Sequence, residues 1–277
     1  MSFATDYLAQ LDRMAQRVPL PRVKALHIPP DPAHDSTRGE FCAIELDDGT
    51  LGLSYVLLDD TLQHMRELAP MLGLPGADAL QVARRFTTAQ GAEKTVAFAA
   101  ANAITRWLFD RTGFRPDASI DSLGALNPLP TDRIGMIGLF TPLLPRVLAS
   151  GAQLTVIELK AHLAGPHDGY RVSLDPDALL ACDKVVSTGT LVLNDTLDEM
   201  LARCAHARWV ALIGPTMGCL PDALFARGVT LIGGSWVLDG PAYVAALREG
   251  VQRSGLAQKV TITRAAWPGF DILLARL

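Results

Sequence analysis

Apolar positions follow two regimes along the chain. In the first part Tyr7, Leu8, Leu11, Met14, Ala15 and Val18 recur at three- and four-residue spacing, which predicts an amphipathic helix over 5–18, stopped by Pro19 and Pro21. Residues 22–28 read as a strand and 29–35 as an exposed loop. Runs at 41–46 and 51–57, joined across Asp47-Asp48-Gly49-Thr50, form the clearest hairpin. Asp59 or Asp60 caps a helix over 61–72, and Asp78 caps one over 79–86. Residues 91–111 are helical throughout, and 95–105 are so rich in small apolar side chains that they must be buried on most sides. Asn102 interrupts that run. An interior amide needs partners, so it either holds a neighbouring loop or faces a ligand.

After the Pro- and Gly-containing stretch 112–130, which has the composition of a linker, short β-branched runs alternate with helix-like segments. Domains over 1–115 and 116–277 follow. The run from Asp132 to Gly138 ends at Thr141-Pro142, suited to cap and start a helix; Gly151 closes that helix and a second strand ends at Glu158. This is the grammar of a β-α-β unit with a crevice at its strand ends. An acid twenty residues after the turn glycine is placed for ribose hydroxyls, although the three-glycine dinucleotide fingerprint is absent and Glu158 also reads as a solvated strand-end acid. Further strands at 184–188, 208–213 and 229–238 end in Ser187-Thr188-Gly189-Thr190, Gly214-Pro215-Thr216 and Gly233-Gly234. Asn194 or Thr196 serves as a helix cap. In a parallel sheet these turns share one edge, where their small polar groups converge. The strand-like piece 259–264 has no evident place.

With 277 residues, 49% hydrophobic and 19% charged, the chain belongs to the compact globular class. A net charge of −4 without a basic run argues against nucleic acid, and no apolar stretch reaches membrane-spanning length. No secretion signal is evident, so the cytoplasm is expected, and the commonness of twofold oligomers makes a homodimer the expected assembly. Cys42, Cys182, Cys204 and Cys219 are scattered without a C-x-x-C pair; most read as core or half-buried thiols, and Cys219 is the exception, a candidate to join a metal site with Glu158. His162, His167 and Asp168 bring three candidate metal ligands within seven residues, without a paired-ligand pattern.

Ile137-Gly138-Leu139-Phe140 with Pro142, Glu158, Ser187-Thr188-Gly189-Thr190 with Asn194 and Thr196, and Gly214-Pro215-Thr216 with Pro221 resemble the putative heavy-metal chelation family. Asp48-Gly49 with Gly52 and Ala101-Asn102-Ala103 carry the likeness in the first half. The resemblance implies an α/β protein: a Rossmann-like parallel sheet in the C-terminal domain, a smaller α+β domain like the N-terminal domain of enolases, and a ligand in the cleft between them. Gly138, Phe140, Glu158, Thr188, Gly189, Thr190, Asn194, Gly214, Pro215 and Thr216 are then the expected ligand-binding positions. Three readings stay open. The protein handles a divalent or heavy metal, or a metal-chelating metabolite, with His162, His167 and Asp168 as ligands; it is an enzyme using S-adenosylmethionine or an adenine nucleotide; or it is a sensor or scaffold, since no nucleophile-base set announces a reaction.

Overall fold

The structure is a computed structural model and describes residues 2–33, 39–119 and 125–277. Helix α1 (Phe3–Ala15) starts where the Ser2 hydroxyl accepts from the Thr5 amide, and it buries Tyr7, Leu8, Leu11 and Met14 as their spacing requires. Strands β1 (Val23–His27), β2 (Phe41–Leu46) and β3 (Leu51–Tyr55) form an antiparallel sheet in that order, with Gly49 at φ 86° in the hairpin turn. Helices α2 (Thr61–Leu68), α3 (Ala79–Arg84) and α4 (Gly91–Thr112) follow. Asp78 caps α3 through the amides of Leu80 and Gln81, whereas Asp60 makes no side-chain cap bond to α2.

Helix α4 organises both halves of the molecule. Its residues from Thr95 to Thr105 are all buried, so this helix has no solvent face along that stretch. Gly52 of β3 lets the sheet press directly onto it: a Cβ there would lie 2.1 Å from the Ala103 nitrogen and 2.2 Å from the Ala99 oxygen. On its other side α4 shares one apolar cluster with the second half of the chain, Phe98, Ile104 and Leu108 with Leu191, Met217 and Leu220.

That second half builds a nine-stranded sheet from β4 (Asp117–Ala118), β5 (Arg133–Ile137), β6 (Gln153–Ile157), β7 (Gly165–His167), β8 (Tyr170–Ser173), β9 (Lys184–Thr188), β10 (Trp209–Ile213), β11 (Leu231–Val237) and β12 (Ala257–Thr263). Six of these are parallel and run β8-β6-β5-β9-β10-β11 across the sheet. Taken in chain order, that is 3-2-1-4-5-6, and the winding reverses between β5 and β9, where an open parallel sheet leaves a crevice beyond its carboxyl ends. Helices α5 (Leu144–Ala149), α6 (Leu197–Arg203), α7 (Asp222–Phe225) and α8 (Gly240–Glu249) fall between the parallel strands and after β11, and α9 (Phe270–Leu274) ends the chain.

Several expectations change. Thr141 caps nothing: a 3-10 turn at Thr141–Leu143 precedes α5, its N-cap position is Phe140, and no side chain bonds there. The expected linker contributes β4, which pairs with β12; its residues 120–124 lie outside the described residues, as do 34 and 35 of the expected loop at 29–35. The polar segment 160–170 holds a β-hairpin, in which Gly169 at φ 79° turns β7 back onto β8. The unplaced 259–264 piece belongs to β12, antiparallel to β11 along its whole length. Among the described residues no helix is long and apolar enough to cross a membrane.

Because the contact at Gly52 is with helix backbone, which has nowhere to go, Gly52→Ala should destabilise the fold by about 3 kcal/mol, read as a lower denaturant midpoint at unchanged slope.

Candidate functional site

The carboxyl ends of the parallel strands carry the turns that the sequence singles out. At the β5–β9 switch, Gly138 holds φ 83°, and a Cβ on it would stand 3.2 Å from Thr188 Cγ2, so these two turns do meet. Half-buried Glu158, beyond β6, bends back onto the first of them: one oxygen accepts from the Leu139 amide at 3.2 Å and the other from its neighbour Leu159 at 2.9 Å. Phe140 is half-buried beside them in the chain. Thr188 Oγ1 accepts from the Thr190 amide at 3.3 Å and from its hydroxyl at 3.2 Å, closing the turn on itself.

Other predicted residues turn inward. Asn194 Oδ1 accepts from the Thr196 amide and hydroxyl, at 3.3 and 2.7 Å, ahead of α6. Gly189 is buried where a Cβ would lie 2.6 Å from the Met217 side chain, and Thr216 is 2% exposed. The reason is that the first domain sits on this half of the edge. Lys94 of α4 pairs with Asp195, the Phe3 amide donates to Asp198, and Arg227 reaches Asp6 at 2.8 Å. Most telling is Asn102, whose Nδ2 donates to Leu53 O of β3 at 2.9 Å and to Thr216 O at 2.8 Å. It holds a loop, the first of the two roles open to it.

Beside that joint lies a cavity of about 40 Å³ that opens to solvent, walled by α4 and β3 on one side and by the 214–219 turn, β11 and β12 on the other. Pro215 lines it, with Asn102, Arg106, Cys219, Ser235 and Trp236; Gly138, Glu158 and the Thr188–Thr190 turn do not. Gly234 is needed here, since a Cβ would meet Met217 O at 2.7 Å. The bare backbone of Gly233-Gly234 leaves β11 half-exposed in the interior of the sheet. Arg106 lies flat on Trp236, its guanidinium carbon 3.5 Å from the ring centroid. Nε donates to Asp110 at 2.8 Å, and Nη1 and Nη2 both donate to Val237 O at 3.2 Å. Burial lowers the Arg106 pKa and Asp110 offsets part of that effect. The sequence signals for this site were the Gly-Gly pair inside a strand, which marks close backbone approach, and Arg106 one helical turn after Asn102.

The metal candidates are not assembled. His162, His167 and Asp168 are exposed, His167 Nε2 is 2.8 Å from Leu163 O, and its ring stacks on Tyr170 at 4.8 Å. All four thiols are buried, and burial pushes Cys42, Cys204 and Cys219 up to about 12 and Cys182 to about 11, so they rest as thiols. Among the described residues no group of three His, Cys, Asp or Glu is placed to hold a metal ion. Among the described residues, the donors therefore do not fit a bare ion held by one copy.

Two outcomes follow. Asn102→Leu takes the amide donor from Leu53 O and Thr216 O, of which Thr216 O keeps the Gly218 amide, and should cost about 2 kcal/mol in denaturant unfolding. At pH 8, iodoacetamide should label the native thiols far more slowly than in urea; rapid native labelling of Cys219 would contradict its burial.

Two family profiles match, both described as putative heavy-metal chelation: DUF364 over residues 121–266 and DUF4213 over residues 37–105. An uncharacterized protein of Methanocaldococcus jannaschii is 28% identical over 193 residues, 68% of this chain and 71% of its own. A crystal structure of a DUF364 protein of unknown function from Desulfitobacterium hafniense superposes with a TM-score of 0.68 at 21% identity, covering 94% of this chain and 100% of the other. One from Pyrococcus horikoshii gives 0.66 at 18% identity, covering 95% and 100%. These two likenesses establish the shared two-domain α/β fold. Since the DUF364 profile alone spans more than half of the sequence, the chain belongs to the family described as putative heavy-metal chelation.

Proposed function

We propose that this protein binds a small organic ligand in the cavity between its two domains, and that the family's metal enters as a chelate of such a metabolite rather than as an ion held by His162, His167 and Asp168. The observation that carries this reading is the bare floor at Gly234, with Arg106 and Asn102 of α4 lining the same cavity, which both domains wall. Ligand sites favour such domain seams, where apolar walls surround a few aimed polar groups. In the same reading the chain divides near residue 115, the 3-2-1-4-5-6 sheet is Rossmann-like, and the three-stranded sheet followed by helices is the enolase-like part.

A second reading has one specific support. Glu158 stands at the end of the second parallel strand with its carboxylate on the first turn, beside the switch point, where adenosyl hydroxyls would compete for it. S-adenosylmethionine is the ligand of that reading, because it asks for no diphosphate cradle.

The two are separable by thermal shift. Wild type, Ser235→Phe and Glu158→Ala are each heated with ultrafiltered cell extract, with and without added nickel, and with S-adenosylmethionine alone. A ligand at 100 times its dissociation constant adds about 2.7 kcal/mol. The cleft reading expects extract to stabilise wild type and Glu158→Ala but not Ser235→Phe. Stabilisation by S-adenosylmethionine that only Glu158→Ala removes would transfer the site to the switch point.

A further inference from the structure

We propose that the interdomain cavity selects an organic anion, a carboxylate on an apolar or aromatic body, and that Arg106 is the residue that recognises it. This rests on the cleft reading and adds the chemical class of its ligand.

The first support is the balance of charge. Arg106 and Arg115 both lie over the Trp236 ring, at 3.5 and 4.7 Å from its centroid, and both pair with the same carboxylate, Asp110. Two guanidiniums share this one acid, and Pro116, next to Arg115, joins the cavity lining. Among the described residues the cavity itself is lined by Arg106 and by no Asp or Glu. Asp110 stands behind Arg106, in an adjoining hollow shared with Asp48. A charge held at a low-dielectric wall acts more strongly on a ligand than it would in water.

The second support is donor capacity. A guanidinium carries five N–H groups, and the contacts of Arg106 use three: Nε on Asp110 and one from each Nη on Val237 O. Those contacts and the indole face hold the fork in one plane, so the remaining N–H groups are oriented before a ligand arrives. These two groups sit on different nitrogens and point to opposite sides, so each offers a carboxylate one charge-assisted bond from a fixed position, which the mobile point charge of a lysine does not. The other polar groups are suited to a neutral body. Asn102 Nδ2 is spent on two carbonyls, Ser235 offers a hydroxyl, and Cys219 is a thiol beside aliphatic Ile232 and Val260.

The test uses matched acid and amide probes: benzoate and benzamide, nicotinate and nicotinamide, indole-3-acetate and indole-3-acetamide, titrated by ligand-observed NMR into wild type, Arg106→Gln, Arg106→Lys and Ser235→Phe. In wild type at least one acid should bind about tenfold or more tighter than its amide. Arg106→Gln should abolish that preference while leaving the amide's affinity within about twofold, which also reports that the cleft is still built, and Arg106→Lys should restore part of it. Equal binding of acid and amide, lost in Ser235→Phe, would overturn anion selection and leave the cleft reading standing. An acid preference that survives Arg106→Gln would overturn the role of Arg106. If no probe binds wild type, the inference is overturned, and the extract experiment decides the cleft reading independently.

Discussion

A buried amide must find acceptors, and the architecture of this protein turns on where Asn102 finds them. One hydrogen of its amide nitrogen goes to β3 and the other to the turn after β10, so a single side chain in a helix without a solvent face ties the two sheets at a set spacing. Gly52 allows the first contact by removing the Cβ between strand and helix. Gly234 allows the second by letting the 214–219 turn lie on β11. The cavity is what remains between these approaches, and its dimensions follow from them.

The same packing divides the carboxyl edge of the parallel sheet into two halves of different character. Over β9 and β10 the turns are covered by α1 and α4 and spend their polar groups on internal bonds, as with Thr216 and Asn194. Over β5 and β6 the edge is open, and there Glu158 satisfies the backbone amides of Leu139 and Leu159. A residue at a strand end is thus not committed to a ligand by its position, because a domain that docks there consumes the same donors and acceptors. The uncommitted groups collect instead at the seam, around Arg106 and Ser235.

Local order was legible in the sequence where one physical signal dominated. The spacing of Tyr7, Leu8, Leu11 and Met14, the Asp48-Gly49 turn, the all-round apolarity of 95–105 and the glycine-ended strands each led to the element found. The first turn after β5 was misread, because Pro142 starts a 3-10 turn that Thr141 does not cap. The site was only partly legible. Gly138, Glu158 and Thr188 do gather at the switch point, but the cavity draws on residues far apart in the chain, Leu53, Arg106, Pro215 and Trp236, whose meeting depends on domain docking. The histidine cluster failed for a complementary reason: His162 lies in a 3-10 turn ahead of β7, Asp168 in the hairpin turn, and His167 at the end of β7 against Tyr170, so nearness in sequence does not aim the three at one point.

The central claim is that the ligand belongs to the seam between the domains. Its most direct test is a crystal structure of protein purified rapidly, without dialysis, from its own cells. The account predicts bound density bounded by Arg106, Ser235 and Pro215. Density beside Glu158 and Gly138, with the interdomain cavity empty, would contradict it.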